Sequence, residues 1–179
     1  TNIAIASMIN YDLRKIRALA FDVDGVLSTS NVLLIEGGQP CRTANTKDGY
    51  ALQLAIKYGI EIAIITGGNS PIVRQRYESL GIKSIFMGAA VKIECFDQWL
   101  AQKGLRPDEV LYMGDDIPDY EVMKKCGCPC CPNDAAIEIK DIARYVSPLE
   151  GGCGCVRDIV EQVLRAQGLW MADNRAFGW

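Results

Sequence analysis

Two aspartates, Asp22 and Asp24 in "LAFDVDGVLST", close an apolar run and stand just before Gly25. Three more acids, Asp115, Asp116 and Asp119, follow a second apolar run in "VLYMGDDIPD". Thr66, with Gly67 and Gly68, ends a third run, and Lys92 lies shortly past a fourth. Two carboxylates about 4 Å apart repel by about 4 kcal/mol at an effective dielectric of about 20, so acids gathered in one crevice call for a cation. Hard oxygen donors with open positions suit magnesium. A phosphoryl group held between such an ion and Lys92 has its charge neutralised, and its phosphorus is open to attack by a carboxylate. Asp22 is then the candidate nucleophile, forming an aspartyl phosphate. Asp24, on the same side of an extended chain, is the candidate acid and base. Thr66 and the amides near Asp24, Gly25 and Gly67 are the candidate holders of the phosphoryl oxygens. Asp119 reads as a group that orients the metal shell or Lys92, and Asp116 as an outer support or a helix-start acid.

This chemistry needs the four stretches to meet, and the patterning supplies a frame in which they do. "IRALAF" (16–21), "IEIAIIT" (60–66), "SIFM" (84–87), "VLYM" (110–113) and "CPCC" (128–131) read as short buried strands. Helical spacing fills the intervals: "DGYALQLAIKYG" ends at Gly59, "SPIVRQRYESLG" starts on an N-cap Ser70 with Pro71 following, and "VKIECFDQWLAQKG" closes on Gly104. Strands alternating with helices of this length give an α/β fold, a doubly wound parallel sheet with helices on both faces. In such a sheet, ligands sit at the carboxyl ends of the strands, where all four stretches fall. No linker, repeat or low-complexity tract interrupts residues 1–179, so one domain is expected. "NVLLIEGGQPCRTAN" (31–45) reads as a β-hairpin turning at Gly37 and Gly38, within an insertion of about residues 28–45. A helix and tail are expected over about residues 155–179.

Composition narrows the chemistry further. The 179 residues include no histidine, which excludes a Ser/His/Asp triad, a phosphohistidine route and imidazole zinc sites. A net charge of -3 offers no basic footprint for nucleic acid or an anionic membrane. The N-terminal stretch lacks the pattern of a leader and no run of 18 apolar residues occurs, so a soluble, cytoplasmic protein is expected. Four of the eight cysteines crowd "CGCPCCP". They read as small apolar packing residues rather than zinc ligands or a redox pair. Two readings outside catalysis remain as alternatives: a receiver-like regulatory domain and a cysteine-based metal or interaction module. The first lacks an aspartate near Ile64, where its phosphoacceptor belongs.

"DVDGV", "ITGG", Lys92 and "GDDIPD" together resemble, in order, the four motifs of the haloacid dehalogenase superfamily of phosphatases. The resemblance implies Asp22 as nucleophile, Asp24 as acid and base, and magnesium held by Asp22, the backbone carbonyl of Asp24, and Asp115. Only 41 residues separate Asp24 from Thr66 and 25 separate Thr66 from Lys92, which leaves no room for a cap domain. The hairpin, "NTKDGYA", "VRQRYESLGI", "GDDIPDYEVM" and "GGCGCVRDIVEQVL" resemble the 3-deoxy-D-manno-octulosonate 8-phosphate (KDO 8-phosphate) phosphatases of lipopolysaccharide biosynthesis. That likeness implies a capless homotetramer in which hairpins pack together, burying residues 32–35, and a neighbouring subunit covers the site with part of its tail. It also implies substrate contacts from Asn45, Thr46, Lys47, Asp48, Gly49, Gly67 and Arg76. Many relatives carry arginine directly after Thr-Gly, where this chain has Gly68. A nine-carbon sugar acid phosphate, such as KDN or sialic acid 9-phosphate, therefore stays open as an alternative substrate, as does another small phosphorylated metabolite.

Overall fold

The computed structural model describes residues 8–179; the first seven positions of the N-terminal stretch weighed as a leader lie outside the described residues. The strands are β1 (Ala18–Phe21), β2 (Glu61–Ile65), β3 (Ser84–Phe86), β4 (Val110–Met113), β5 (Cys128–Cys131) and β6 (Tyr145–Val146). The helices are α1 (Thr46–Lys57), α2 (Pro71–Glu78), α3 (Lys92–Lys103), α4 (Tyr120–Lys125), α5 (Ile137–Ile142) and α6 (Cys155–Ala166). All strand pairs are parallel, in the order β3-β2-β1-β4-β5-β6. β1 is central, with Phe21 opposite both Ile64 of β2 and Met113 of β4. The residues that follow these three strands therefore emerge side by side at one rim. The doubly wound α/β sheet expected from the patterning is the observed fold. β6, only two residues long, has too little periodicity to be read from sequence.

Period-two alternation along β1 sorts its side chains between two cores. Leu19 and Phe21 pack on the face covered by α1, α2 and α6, against Leu52, Val73 and Val160. Ala18 and Ala20 face α3, α4 and α5. The small residues on that second face leave room for Phe96, Trp99 and Tyr112, all fully buried. The ring centroid of Phe96 is 6.1 Å from that of Trp99 and 6.2 Å from that of Tyr112. Cys128 and Cys130 belong to the first core, Cys126 and Cys131 to the second, and burial pushes the Cys126 and Cys131 thiols up to about 12. These four cysteines pack as small apolar side chains. Cys41 and Cys153 are exposed.

Two local expectations change. Ser70 stands at the N-cap of α2, but its side chain makes no capping bond and its hydroxyl is buried without a partner among the described residues. The hairpin contracts to a flap with one antiparallel bridge, in which Leu33 and Cys41 exchange backbone hydrogen bonds of 3.1 and 2.9 Å. The flap's turn still falls at Gly37, whose φ of 73° favours glycine. Regular strands do not form there because the flap's apolar residues have no second layer to pack on: Leu33, Leu34 and Ile35 are exposed. Among the described residues no helix is long and apolar enough to cross a membrane.

Trp99 tests the second core. Its ring is fully buried while its indole N–H has no acceptor among the described residues. Trp99→Ala is expected to cost about 3–5 kcal/mol in denaturant unfolding. Trp99→Phe, which removes the unpaired N–H with much less volume, is expected to cost less than half as much.

Candidate active site

The rim of the sheet carries the reactive residues because each follows a strand, either directly or after a short loop. Asp22 comes after β1, and its backbone N–H extends the ladder by donating to Met113 O at 3.1 Å. Its carboxylate accepts from the Val23 N–H at 2.7 Å and pairs through Oδ2 with Lys92 Nζ at 2.8 Å. Lys92, the first residue of α3, donates equally to Asp119 Oδ1 at 2.8 Å. Asp119 is fully buried, and its four donors account for its oxygens: Lys92, the Tyr112 hydroxyl at 2.6 Å, and the amides of Asp115 and Asp116 at 3.0 and 3.4 Å. It is thus a fixed anchor for Lys92 and for the loop after β4.

The electrostatics of this cluster are unbalanced. Among the described residues, Asp22, Asp115 and Asp119 bring carboxylate oxygens within 4.8 Å of one another. Burial, with the charge of Asp119, pushes Asp22 up to about 7 despite Lys92. Burial, then Asp22, Asp119 and Asp116, push Asp115 up to about 8. For Lys92, burial works against the ammonium, but the charges of Asp119 and Asp22 outweigh it and its pKa is raised. Asp119 already spends its oxygens on protein donors, so Asp22 and Asp115 are the pair that a hard divalent cation would draw on. Gly25, with φ 82°, permits their approach: a Cβ there would overlap the Asp115 carboxylate.

A crevice of about 560 Å³ opens above the cluster, lined in part by Asp22, Asp24, Thr66, Gly67, Lys92 and Asp115, with Asp116 at its edge. Thr66 is buried, and its hydroxyl accepts from the Gly68 N–H at 3.2 Å. Asp116 also takes the Ile117 N–H at 2.8 Å, which starts a 3-10 turn. Asp24 is gripped by a residue that sequence reasoning missed: Arg42 Nε donates to Oδ1 at 2.6 Å and Nη2 to Oδ2 at 3.1 Å. No spacing signal marks Arg42, because only the folded flap carries it to the rim.

The structure does not bring the segment 45–49 to the lining of this crevice. The Asn45 side chain caps α1, accepting from Lys47 and Asp48 amides at 2.9 and 3.1 Å. Thr46 and Lys47 follow as the first exposed residues of α1. Asp48 is buried, accepts from the Arg157 N–H of α6 at 2.8 Å, and is pushed up to about 6 mainly by burial. Arg76 lies against Gly49 and lines an adjoining cavity of about 470 Å³, shared with Ile72, Tyr77 and Arg42. The aromatic tail docks on its own chain. Trp170 and Trp179 meet Tyr50 edge-on at 6.1 Å, Arg157 lies over Trp170 at 4.7 Å, and the Tyr50 hydroxyl donates to Ala176 O.

Comparison with known proteins agrees with this geometry. Residues 49–132 match the family Haloacid dehalogenase-like hydrolase. The chain is similar to the 3-deoxy-D-manno-octulosonate 8-phosphate phosphatase KdsC of Escherichia coli (strain K12), 37% identical over 153 residues that make up 86% of this chain and 81% of the relative. The crystal structure of 3-deoxy-D-manno-octulosonate 8-phosphate phosphatase from Yersinia pestis superposes with a TM-score of 0.86 at 33% identity, covering 88% of this chain and 85% of that one. The enzyme of the same name from Moraxella catarrhalis, in complex with magnesium ion, phosphate ion and KDO, superposes with a TM-score of 0.85 at 30% identity, covering 88% and 91%.

The raised carboxyls set a pH dependence. Asp22, Asp48 and Asp115 hold protons more tightly in the folded chain than at their ordinary 3.8, so the folded state binds more protons between about pH 4 and 8. Stability is therefore lost as pH rises through that window. Thermal melts in chelator are expected to fall from pH 5 to pH 8, and added magnesium is expected to narrow the fall; a flat profile would contradict the burial of these acids.

Proposed function

The chain belongs to the haloacid dehalogenase-like hydrolases and is a capless phosphatase; from that premise we propose that it removes phosphate from KDO 8-phosphate through an aspartyl-phosphate intermediate, with magnesium. The observation that carries the reading is the Asp22–Lys92–Asp119 chain, with Asp115 beside it, at the rim where β1 and β4 end. The donor set fits a hard divalent ion, since Asp22 and Asp115 crowd together with more negative charge than Lys92 offsets. Asp22, the backbone carbonyl of Asp24 and Asp115 would hold it. Magnesium, when bound, supplies positive charge that offsets the carboxylates and the phosphoryl oxygens.

The chain's own residues then divide the work. Lys92, fixed by Asp119, presents its ammonium to the phosphoryl group and keeps Asp22 oriented. An Asp22 oxygen attacks phosphorus; a carboxylate–phosphorus bond forms as the ester P–O bond breaks, and Asp24 hands its proton to the leaving oxygen. Asp24 next takes a proton from water, whose oxygen attacks phosphorus and frees Asp22 and inorganic phosphate. Thr66 and the amides around Gly67 hold the phosphoryl oxygens during both displacements. Asn45, Thr46, Lys47, Asp48, Gly49 and Arg76 belong to the surroundings of the sugar acid, with Asn45 and Asp48 shaping the start of α1 and Arg76 lining the adjoining cavity. The exposed Leu33, Leu34 and Ile35 support assembly into a homotetramer through the flaps, which would shield the open crevice from water.

Phosphate release from a panel of eight- and nine-carbon sugar acid phosphates is expected to be fastest with KDO 8-phosphate; preference for a nine-carbon acid would reassign the substrate. Asp22→Asn is expected to keep the fold and lose at least about 1000-fold in kcat, as loss of a nucleophile does. Asp24→Asn is expected to lose turnover while magnesium binding, followed by calorimetry, persists. Sedimentation is expected to give a four-chain particle, and Leu34→Asp smaller ones.

A further inference from the structure

Arg42 has no task in the hydrolysis just derived, yet it reaches from the flap into the centre of the site. Its fork closes on both oxygens of Asp24, and Nη1 donates to Pro40 O at 3.3 Å. Only 11% of its side chain is exposed. A Cβ on residue 68 would stand 2.8 Å from Nη2, so the guanidinium fills space that exists because Gly68 has no side chain. Arg42 also lines both the catalytic crevice and the adjoining cavity that holds Arg76.

These positions put Arg42 on the leaving-group side. Asp24 protonates the ester oxygen in the proposed hydrolysis, so a fork that grips Asp24 lies beside the bond joining phosphorus to the organic part of the substrate. Lys92 pairs instead with Asp22. From there the organic part extends past Arg42 toward the adjoining cavity. A guanidinium matches a carboxylate in shape and takes it through two parallel hydrogen bonds, as it now takes Asp24.

We propose that Arg42 is the specificity residue of this phosphatase: its guanidinium exchanges Asp24 for the carboxylate of the sugar acid at the junction of the two cavities, in room left by Gly68. The proposal rests on the phosphatase reading above and names what selects the substrate within it. Gly68 itself brings no charge to the position directly after Thr66 and Gly67, and Arg42 reaches that position from the flap. Arg42→Lys is not equivalent, since an ammonium offers no fork.

The test compares kcat/KM for KDO 8-phosphate with that for ribose 5-phosphate, which has no carboxylate. Arg42→Ala is expected to lower the ratio of the two about 10- to 100-fold, chiefly through KM for the acid, and Arg42→Lys to fall between it and the wild type. Equal fractional losses on both substrates would overturn the proposal, because they are what a merely structural role or one toward the phosphoryl group predicts. Should Arg42→Ala leave no measurable turnover of either substrate, so that no ratio exists, calorimetric binding of free KDO decides: affinity weakened tenfold or more upholds the proposal, and unchanged affinity overturns it. Absence of phosphate release from either substrate by the wild-type chain would instead remove the phosphatase reading, and the proposal with it.

Discussion

One buried ammonium between two carboxylates holds this site together. Lys92 meets Asp22 and Asp119 at 2.8 Å each, and Asp119 has no solvent exposure at all. Removing one partner from such a buried pair typically costs about 3–5 kcal/mol, because the remaining charge is left without compensation. The chain of charges therefore ties the end of β1, the start of α3 and the loop after β4 into a single geometry. It also leaves an excess of negative charge, which adds to burial in raising Asp22 and Asp115. The same interaction that makes the site rigid makes it receptive to a cation.

The sheet order gives that charge chain its location. With β1 between β2 and β4, the acids after β1 and β4 and the threonine after β2 share one rim although they are far apart in sequence. The two cores support this rim from opposite faces: alanines on one side accept large rings from α3 and β4, and α1, α2 and α6 close the other. With no cap domain, the crevice opens directly to the flap. That openness is what lets Arg42 of the flap close on Asp24.

Legibility followed the strength of local patterns. Five strands and three helices were readable because apolar runs of four to seven residues alternate with helical spacing that ends on glycine, and α6 lies in the stretch of about residues 155–179 where a helix and tail were expected. β6 and the short helices α4 and α5 were not, since two to six residues offer too little periodicity. At the site, Asp22, Asp24, Thr66, Lys92 and Asp115 were readable as strand-end residues and do converge. The segment 45–49 was harder: Asn and Asp serve equally as ligand contacts and as helix caps, and the structure gives Asn45 the cap and Asp48 a backbone partner in α6.

The chemical menu was settled by residue types alone. A chain without histidine must work with carboxylates, hydroxyls, lysine, arginine, thiols or a metal, and paired acids with a lysine and a threonine at strand ends point within that set to carboxylate and metal chemistry. Alternating patterns likewise suffice to specify a parallel sheet, because burial of apolar faces is a local demand that each segment states for itself. Which acid anchors and which remains available was decided only by packing. Asp119 differs from Asp115 in having four protein donors around it, and those donors come from β4, α3 and two loop amides. The place of Arg42 was decided in the same way: a long cation on an irregular flap has no periodic signal, and its partner is set by where folding leaves an unfilled space and an opposite charge.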